Sequence, residues 1–418
     1  RGILRWWMMG LVALATTINY VDRQSISLLF PVLGKPQELN LSALQYSRVA
    51  TALLLAYTIS QSVSGKLYDR FGTRVGFAVS IVVWSVAAMG HSLIVGFYSF
   101  AVLSFVLGFG EAGNWPGAAK MVAEWFPVRE RALGMAIFNS GAALGSVIAP
   151  PLIVGLQLQV GWRMTFLLVG SLGFCWLAAW LLFFRVPEEH PRISAEELSY
   201  IQQGRNPESR SSIQTVKAVR LLRTRQVWAI IVARLFVDPV WWLFVLWLPE
   251  YLNKSRGFSV KQIGMFAWLP YLAASVGSLF GGWLAGRLIQ SGFDVNRARK
   301  TVIGVAACLM PAGLLAARAE SAMAALGYIA VVLFGFQMWI SNVQTLPSDF
   351  FSDKTVGSVA GFGGTGAAIG SMSLMLATGW IVTRFSYAPV LIIAGILAPV
   401  GTTLLFLMTG KIQRLELK

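Results

Sequence analysis

An apolar run occupies residues 6–33, with the sequence WWMMGLVALATTINYVDRQSISLLFPVL. The run is long enough to cross a bilayer as one helix, but the pentapeptide Asn19-Tyr20-Val21-Asp22-Arg23 places two charges inside it. An Asp or an Arg at the centre of a membrane helix is costly. These charges therefore either mark the water-side end of a shorter helix or face a water-filled cavity. Because the apolar run continues from Ser25 to Leu33, we favour the cavity.

The composition is that of a polytopic membrane protein. Hydrophobic residues make up 56% of the 418 residues and charged residues only 12%, whereas soluble domains carry about 25% charged residues. A membrane-crossing helix needs about 20 apolar residues, and by that measure we expect about twelve spans. They lie near 6–33, 47–68, 75–94, 97–122, 132–156, 163–185, 227–252, 262–289, 300–317, 322–347, 356–383 and 387–410. The first run is too long for a signal peptide and has no small-residue cleavage site, so we expect it to remain as a helix.

One long polar segment separates the first six spans from the last six. Residues 186–226 contain Pro187, Pro191 and Pro207 together with many charged side chains. We therefore predict an all-α membrane protein with an N-terminal six-helix bundle at 1–185, a cytoplasmic linker at 186–226 and a C-terminal six-helix bundle at 227–418.

Two kinds of internal repeat support a duplicated bundle. The second span is followed by GKLYDRFGTR at 65–74, and the eighth by GWLAGR at 282–287, which repeats the start of that pattern. The fifth span contains GAALG at 141–145, and the eleventh contains GAAIG at 366–370. Small residues four positions apart let two helices approach closely. Repeats at corresponding positions of both halves predict two pseudo-symmetric halves.

The net charge of +16 does not indicate nucleic-acid binding, because the basic residues lie in short loops rather than on one soluble face. Basic loops of this kind mark the cytoplasmic side, so we expect both termini in the cytoplasm. The residues that support this orientation are Arg70, Arg74, Arg129, Arg131, Lys217, Arg220, Arg223, Arg225, Arg297, Arg299, Lys300, Lys411, Arg414 and Lys418, and the exceptions are Lys254, Arg256 and Lys261.

The cysteines and histidines give no sign of a catalytic or metal centre. Cys175 and Cys308 lie within apolar segments, and His91 and His190 fall in loops away from any Cys or carboxylate cluster. The sequence also contains no visible arrangement of nucleophile and base and no soluble binding domain. We therefore expect a protein that is not an enzyme and that needs no cofactor and no metal.

The motif Gly-x-Leu-x-Asp-Arg-x-Gly-x-Arg at 65–74 resembles the loop motif of the major facilitator superfamily. With its spans and central linker, the chain resembles that family over its whole length. The resemblance implies the major facilitator fold and transport by rocking of two halves about a midplane site. It also implies a gating role for the motif residues Gly65, Asp69, Arg70, Gly72 and Arg74. A simple positive-inside anchor is the alternative for Arg74.

Further motifs resemble the anion:cation symporter branch of that family, which includes bacterial sugar-acid transporters. Asn-Tyr-x-Asp-Arg at 19–23 is typical of the branch. Narrower matches to hexuronate transporters are GEAGNWPG at 110–117, AEWFP at 123–127, DPVWW at 238–242, WLP at 247–249 and NRARK at 296–300. The resemblance implies proton-coupled uptake of a sugar acid, above all a hexuronate such as glucuronate or galacturonate, by a monomer in the bacterial inner membrane.

Other functions stay open beside this one. The substrate could instead be an aldonate such as galactonate, or another organic anion. Proton-driven efflux is a further alternative, but efflux antiporters of the superfamily usually carry Gly-Pro in span five, where this chain has Ala149-Pro150-Pro151.

Two acids in the spans are the candidates for proton coupling. Glu111 lies mid-span in a Gly-rich segment. A carboxylate balanced between desolvation and a nearby guanidinium can take up and release a proton. We therefore expect Asp22 and Glu111 to couple transport to protons, with Arg23 close enough to sense Glu111, and the resemblance implies the same roles. A static ion pair between Arg23 and one acid is the alternative.

Arg23 also suits a sugar acid, because a guanidinium binds a carboxylate through two parallel hydrogen bonds. Polar and aromatic side chains of the spans could bind the hydroxyl groups and the sugar ring, although Trp and Tyr also anchor helices at the membrane interface. The polar candidates are Tyr20, Tyr57, Gln61, Asn114, Asn139, Gln337, Ser341 and Asn342, and the aromatic ones are Trp115, Trp241, Trp242 and Trp339. Tyr20, Asn114, Trp242 and Asn342 are favoured among them.

Two further positions bear on the site. Many relatives carry an Arg seven residues before the span-four Glu, and this chain has Ser104 there. Arg23 would then be the main anchor for a substrate carboxylate. Arg234 and Asp238 are one helical turn apart in span seven, so they could pair with each other or supply a second charged site.

Overall fold

The computed structural model describes residues 3–127, 130–202, 221–351 and 353–413, and these residues form helices and connecting turns without a β-strand. Residues 203–220 of the predicted linker lie outside the described residues. So do five of the basic residues on which the orientation depends, namely Arg129, Lys217, Arg220, Arg414 and Lys418.

Six helices precede the middle of the chain. They are α1 (Leu4–Leu33), α2 (Ala43–Gly90), α3 (Phe97–Glu111), α4 (Asn114–Trp125), α5 (Arg131–Phe183) and α6 (Ala195–Gln202). Both α2 and α5 contain two predicted spans, which a glycine joins at a sharp bend. Gly72 has φ 80° and Gly161 has φ 77°, a backbone conformation that only glycine adopts without strain.

Nine helices follow among the described residues. They are α7 (Arg225–Arg256), α8 (Val260–Phe266), α9 (Leu269–Gln290), α10 (Val295–Leu309), α11 (Ala312–Arg318), α12 (Ala322–Val343), α13 (Leu346–Phe350), α14 (Asp353–Arg384) and α15 (Ala388–Thr409). Predicted spans eight, nine and ten are each interrupted once, and span four is interrupted at Ala112 and Gly113, directly after Glu111.

All of the predicted spans coincide with helices, which confirms the all-α membrane fold. Eight helical stretches of the described residues are long and apolar enough to cross a membrane, and one of them, Leu133–Phe183, holds spans five and six. Spans one, two and four are not among the eight. These three spans carry most of the polar residues of the predicted site, and polar side chains lower the hydropathy of a span.

Contacts between residues divide the chain into two compact units. The first is Arg1–Arg210 with Ile263–Met265, and the second is Ser211–Gln262 with Phe266–Lys418. The exact domain bounds inferred from the sequence stay a prediction.

In the first unit, α1 packs against α5 at the small-residue repeat. A Cβ atom at Gly141 would overlap the carbonyl oxygen of Ala13, and one at Gly145 would lie 2.6 Å from the carbonyl oxygen of Thr17. Thr17 Oγ1 also donates a hydrogen bond of 3.1 Å to the carbonyl of Gly141. The two helix backbones are therefore in direct contact at this repeat.

The second unit repeats this arrangement between α7 and α14. A Cβ atom at Gly366 would lie 2.5 Å from the carbonyl oxygen of Ile231, and one at Gly370 would overlap the carbonyl oxygen of Leu235. Both copies of the pentapeptide thus bring their helix against the first span of their own unit, as expected for small residues four positions apart.

Candidate functional site

The first unit contains a buried ion pair between α1 and the last residue of α3. Arg23 Nε lies 2.7 Å from Glu111 Oε2, and the two residues are 1% and 0% exposed. The contact expected between Arg23 and Glu111 is therefore present. Removing one partner of a buried pair costs about 3–5 kcal/mol, since the other charge is left without compensation.

Three more side chains surround the Arg23 guanidinium. Asn19, one helical turn earlier, accepts a hydrogen bond of 3.2 Å from Arg23 Nη2. The centres of two aromatic rings lie close to the guanidinium carbon, Tyr20 at 5.1 Å and Tyr57 at 4.9 Å. Sequence reasoning passed over Asn19 as a site residue, although its spacing of four from Arg23 is the spacing that brings two side chains together on a helix.

Asp22 is buried in the same region but makes different contacts. It is 2% exposed, and neither carboxylate oxygen has a hydrogen-bond partner among the described residues. Asp22 is close enough to Glu111 for the two charges to interact. A carboxylate without a donor in such a place is costly when ionised. The site therefore holds two buried acids, of which Glu111 is the one that pairs with the guanidinium.

Span four resumes at Asn114 immediately beyond the interruption after Glu111. Asn114 is buried, and its Nδ2 donates a hydrogen bond of 3.0 Å to Thr16 Oγ1 on α1. Trp115 packs edge-on against Phe138, with 4.9 Å between ring centres. Asn139, the next residue on α5, is exposed. Asn114 is thus joined to the helix that carries Arg23.

Tyr57 and Gln61 lie one turn apart on α2. Their side chains lie beside each other, as residues four positions apart on a helix do. Tyr57 is half-buried against Arg23, whereas Gln61 is exposed.

The candidates in the second unit have mostly structural contacts. Asn342 Nδ2 donates to the carbonyls of Gly281, at 3.2 Å, and Met338, at 3.0 Å, while its Oδ1 accepts a bond of 3.0 Å from Arg299 Nη1. The Asn342 amide therefore joins α9, α10 and α12. Trp242 and Gln337 are half-buried, and their role as substrate ligands stays a prediction, as does that of Asn342.

The other candidates of the second unit also pack within it. Trp241 stacks on Phe336 at 5.7 Å, and Trp339 Nε1 donates a bond of 2.8 Å to Thr402 Oγ1.

Arg234 and Asp238 form an ion pair within α7. Asp238 Oδ2 lies 3.0 Å from Arg234 Nε and 2.7 Å from Arg234 Nη2. The pairing that their spacing allows is therefore present, and a role as a second charged site stays a prediction.

The loop motif at 65–74 is held by contacts within the first unit. Asp69 is exposed and lies 3.4 Å from Lys120 Nζ, a partner that sequence reasoning did not identify. The Arg74 guanidinium donates to the carbonyl of Leu181, and Trp180 Nε1 donates to the carbonyl of Arg74 at 2.9 Å. Arg70 lies over the ring of Phe71.

The remaining motif residues are glycines. Gly72 makes the bend between spans two and three, and a Cβ atom at Gly65 would meet nothing within 4 Å.

Ser104 hydrogen-bonds to a histidine instead of standing alone. His91 is fully buried, in the short connection that follows α2. Its Nε2 lies 3.1 Å from Ser104 Oγ, and its Nδ1 lies 2.7 Å from the carbonyl of Ala87. Ser104 therefore joins α3 to the connection that follows α2. Among the described residues, no group of three or more His, Cys, Asp or Glu side chains is placed to hold a metal ion.

Comparison with known proteins shows the family of this chain. The model of the Major Facilitator Superfamily matches residues 12–372. The chain belongs to that superfamily. The hexuronate transporter of Escherichia coli K12 is 33% identical over 408 residues, with 96% of this chain and 93% of the relative covered. The galacturonate transporter of Dickeya chrysanthemi is 36% identical over 310 residues, or 73% of this chain and 89% of the relative.

Solved structures of the superfamily have the same fold. An inward-facing bacterial homologue of the human lysosomal transporter Spinster matches with a TM-score of 0.78 at 16% identity and covers 98% of this chain and 97% of its own. A D-xylose–proton symporter matches with a TM-score of 0.74 at 16% identity, with 97% and 98% covered. These structures confirm the major facilitator fold predicted from the loop motif.

Proposed function

We propose that this protein is a proton-coupled symporter that imports a hexuronate across the bacterial inner membrane by alternating access. The observation that carries the proposal is the buried pair of Arg23 and Glu111 at 2.7 Å, with a second buried acid at Asp22. The identities to a hexuronate transporter and a galacturonate transporter, 33% and 36%, support the substrate class.

The coupling step rests on competition for Arg23. While Glu111 is ionised, its carboxylate occupies the Nε edge of the guanidinium. Protonation of Glu111 removes the negative charge and weakens this bond, because charge-assisted hydrogen bonds are about twice as strong as neutral ones. The guanidinium then binds the substrate carboxylate through two N–H groups. Substrate and proton are thereby taken up together.

Asp22 is the second acid of this proposal. Its carboxylate has no hydrogen-bond partner among the described residues, so it is most stable in the membrane when it carries a proton. Release of that proton requires water or a cation at the site. Asp22 and Glu111 would in this way make proton binding depend on which side of the membrane the site faces.

The sugar hydroxyls would bind to the polar candidates, with Asn114 first among them because it is joined to α1 through Thr16.

We further propose that the motif at 65–74 acts in gating, that both termini are cytoplasmic and that the protein works as a monomer. The local contacts of Asp69 with Lys120 and of Arg74 with Leu181 would hold the motif in shape for that role.

Aldonate transport is a second candidate. The D-galactonate transporter of Escherichia coli O6:H1 is 27% identical over 425 residues, with 99% of this chain covered. Its identity is lower than that of the hexuronate transporter, which is why we place it second.

Uptake into proteoliposomes tests the proposal. Purified protein is reconstituted, an inward proton gradient is imposed, and the uptake of labelled glucuronate, galacturonate, galactonate and a cationic dye is compared. We expect accumulation of a hexuronate that a protonophore abolishes. Accumulation of galactonate alone would favour the aldonate alternative, and no uptake of any sugar acid would contradict the proposal.

A further inference from the structure

We propose that Tyr57 is a positioning residue that acts through Arg23: its aromatic ring, and not its hydroxyl group, orients the guanidinium. This inference rests on the proposed role of Arg23 as the group that binds the substrate carboxylate. It replaces the simplest expectation for a Tyr in a sugar-acid site, which is that its hydroxyl binds a hydroxyl of the sugar.

Two hydrogen bonds of Arg23 hold its Nε and Nη2 atoms. Glu111 accepts from Nε at 2.7 Å, and Asn19 accepts from Nη2 at 3.2 Å. According to the proposed function, the stronger of these bonds is weakened each time Glu111 is protonated. Contacts that do not depend on the charge of Glu111 then help to keep the guanidinium in place for the incoming carboxylate.

The ring of Tyr57 provides a contact that survives this protonation. Its centre lies 4.9 Å from the guanidinium carbon, within the distance at which a cation is attracted to an aromatic face. This attraction is stronger in a desolvated place, and Arg23 is only 1% exposed. Tyr57 stands on α2, whereas Arg23 stands on α1, so the contact fixes Arg23 against a second helix.

The hydroxyl of Tyr57 lies beside the side chain of Gln61, one turn along the same helix. Position 57 also lies in the middle of α2's first span, predicted at 47–68, whereas tyrosines that anchor a helix in the membrane lie at its interfaces. A ring that holds Arg23 therefore describes this residue better than an interface anchor does.

Tyr20 gives an internal comparison. Its ring centre lies 5.1 Å from the guanidinium carbon, and its hydroxyl also lies close to Arg23. Loss of the hydroxyl alone should therefore matter at Tyr20 and be tolerated at Tyr57. The two tyrosines can be distinguished by one substitution, Tyr to Phe, at each position.

The experiment compares Tyr57→Phe, Tyr57→Leu and Tyr57→Met with wild type in proteoliposomes, with glucuronate as substrate and with KM and kcat measured separately. We expect Tyr57→Phe to keep KM within about twofold, and Tyr57→Leu and Tyr57→Met to raise KM by about 10- to 30-fold, as expected from loss of a buried cation–π contact. Tyr20→Phe should raise KM more than Tyr57→Phe does. Tyr98→Leu, which changes a Tyr that is 82% exposed, is the matched control, and melting temperatures identify any variant that does not fold.

The outcomes separate this inference from the proposed function. If Tyr57→Phe is damaged as severely as Tyr57→Leu and Tyr57→Met, the hydroxyl is the important group and the inference is wrong. Normal KM values for both Tyr57→Leu and Tyr57→Met would overturn it as well. If wild type takes up no sugar acid, the proposed function itself fails.

Discussion

At the scale of single residues, Arg23 forms its ion pair with a carboxylate that lies 88 positions further along the chain. Each of the two charges would be costly in the membrane by itself. In the ion pair each charge compensates the other, and Asn19 adds a further hydrogen-bond acceptor for Arg23. The pair is therefore stable at rest, and a change in the charge of one member changes what the other can bind.

Replacement of Glu111 by Gln should separate binding from coupling. Gln is close in shape to the protonated acid, so we expect exchange of labelled for unlabelled substrate to persist, while accumulation driven by a proton gradient falls and exchange varies less with pH, since Asp22 can still bind a proton. The substitution weakens the hydrogen bond between residue 111 and Arg23. A hydrogen bond to a charged group contributes about 1.5–3 kcal/mol, which corresponds to a change of about 10- to 100-fold in affinity or rate. Proteoliposome uptake and exchange measured between about pH 5 and pH 8 check this prediction.

The matched control for Glu111→Gln is Glu189→Gln, which removes an exposed carboxylate that follows α5. It should behave as wild type. Intact proton-driven accumulation with an unchanged pH profile in Glu111→Gln would show that Glu111 is part of a static ion pair.

The pair of Arg234 and Asp238 permits a charge exchange. Asp238→Asn removes one member of a largely buried pair and should lower the melting temperature. The double variant Arg234→Asp with Asp238→Arg keeps two opposite charges one turn apart, and we expect it to regain stability and uptake. Melting curves and glucuronate uptake measure the two effects. A double variant that regains stability without uptake would indicate a second charged site.

At the scale of helices, close backbone packing in both units depends on the same small-residue pentapeptide. α5 meets α1 in the first unit, and α14 meets α7 in the second. Span one, which carries Asp22 and Arg23, is thereby held against span five over at least two turns. A shift of this packing would move Arg23 relative to Glu111.

Two glycine-to-alanine changes within α5 should have opposite effects. A Cβ atom at Gly141 would overlap a backbone oxygen of α1, whereas one at Gly155 would meet nothing within 4 Å. Overpacking costs about 1–3 kcal/mol, so Gly141→Ala should lower the melting temperature and uptake. Gly155→Ala should keep or slightly raise stability, because Ala stabilises a helix interior by about 0.5–1 kcal/mol relative to Gly. Equal melting temperatures for the two variants would contradict the close contact of α1 with α5.

At the scale of the whole molecule, the uneven distribution of basic loops predicts the orientation in the membrane. One connection that tests this topology is the short one between α2 and α3, which we expect on the periplasmic side. The segment after α5 should lie on the cytoplasmic side. Exposed positions exist in both, Val95 in the first and Glu189 in the second.

Cysteine labelling checks this orientation. The two natural cysteines, Cys175 and Cys308, are first replaced by Ser. We then expect a membrane-impermeant thiol reagent to label Val95→Cys in intact cells and Glu189→Cys only after the membrane has been opened. The reverse pattern would place both termini outside the cytoplasm and contradict the orientation drawn from the basic loops.

The sequence by itself determined the class of the protein, its spans and the family to which it belongs. Apolar run length, loop charge and small-residue spacing are local properties, so they can be recognised without knowing which helices are neighbours. The candidate charges Asp22, Arg23 and Glu111 were found in the same way, because an ionisable residue within an apolar run is conspicuous wherever it lies.

Only the tertiary structure decided which partners these residues have. It paired Arg23 with Glu111 and Tyr57, left Asp22 without a donor among the described residues, and used Asn342 to join three helices of the second unit. These contacts depend on which helices pack together and at what rotation. Since such pairings join residues far apart in the chain, spacing along one helix cannot specify them.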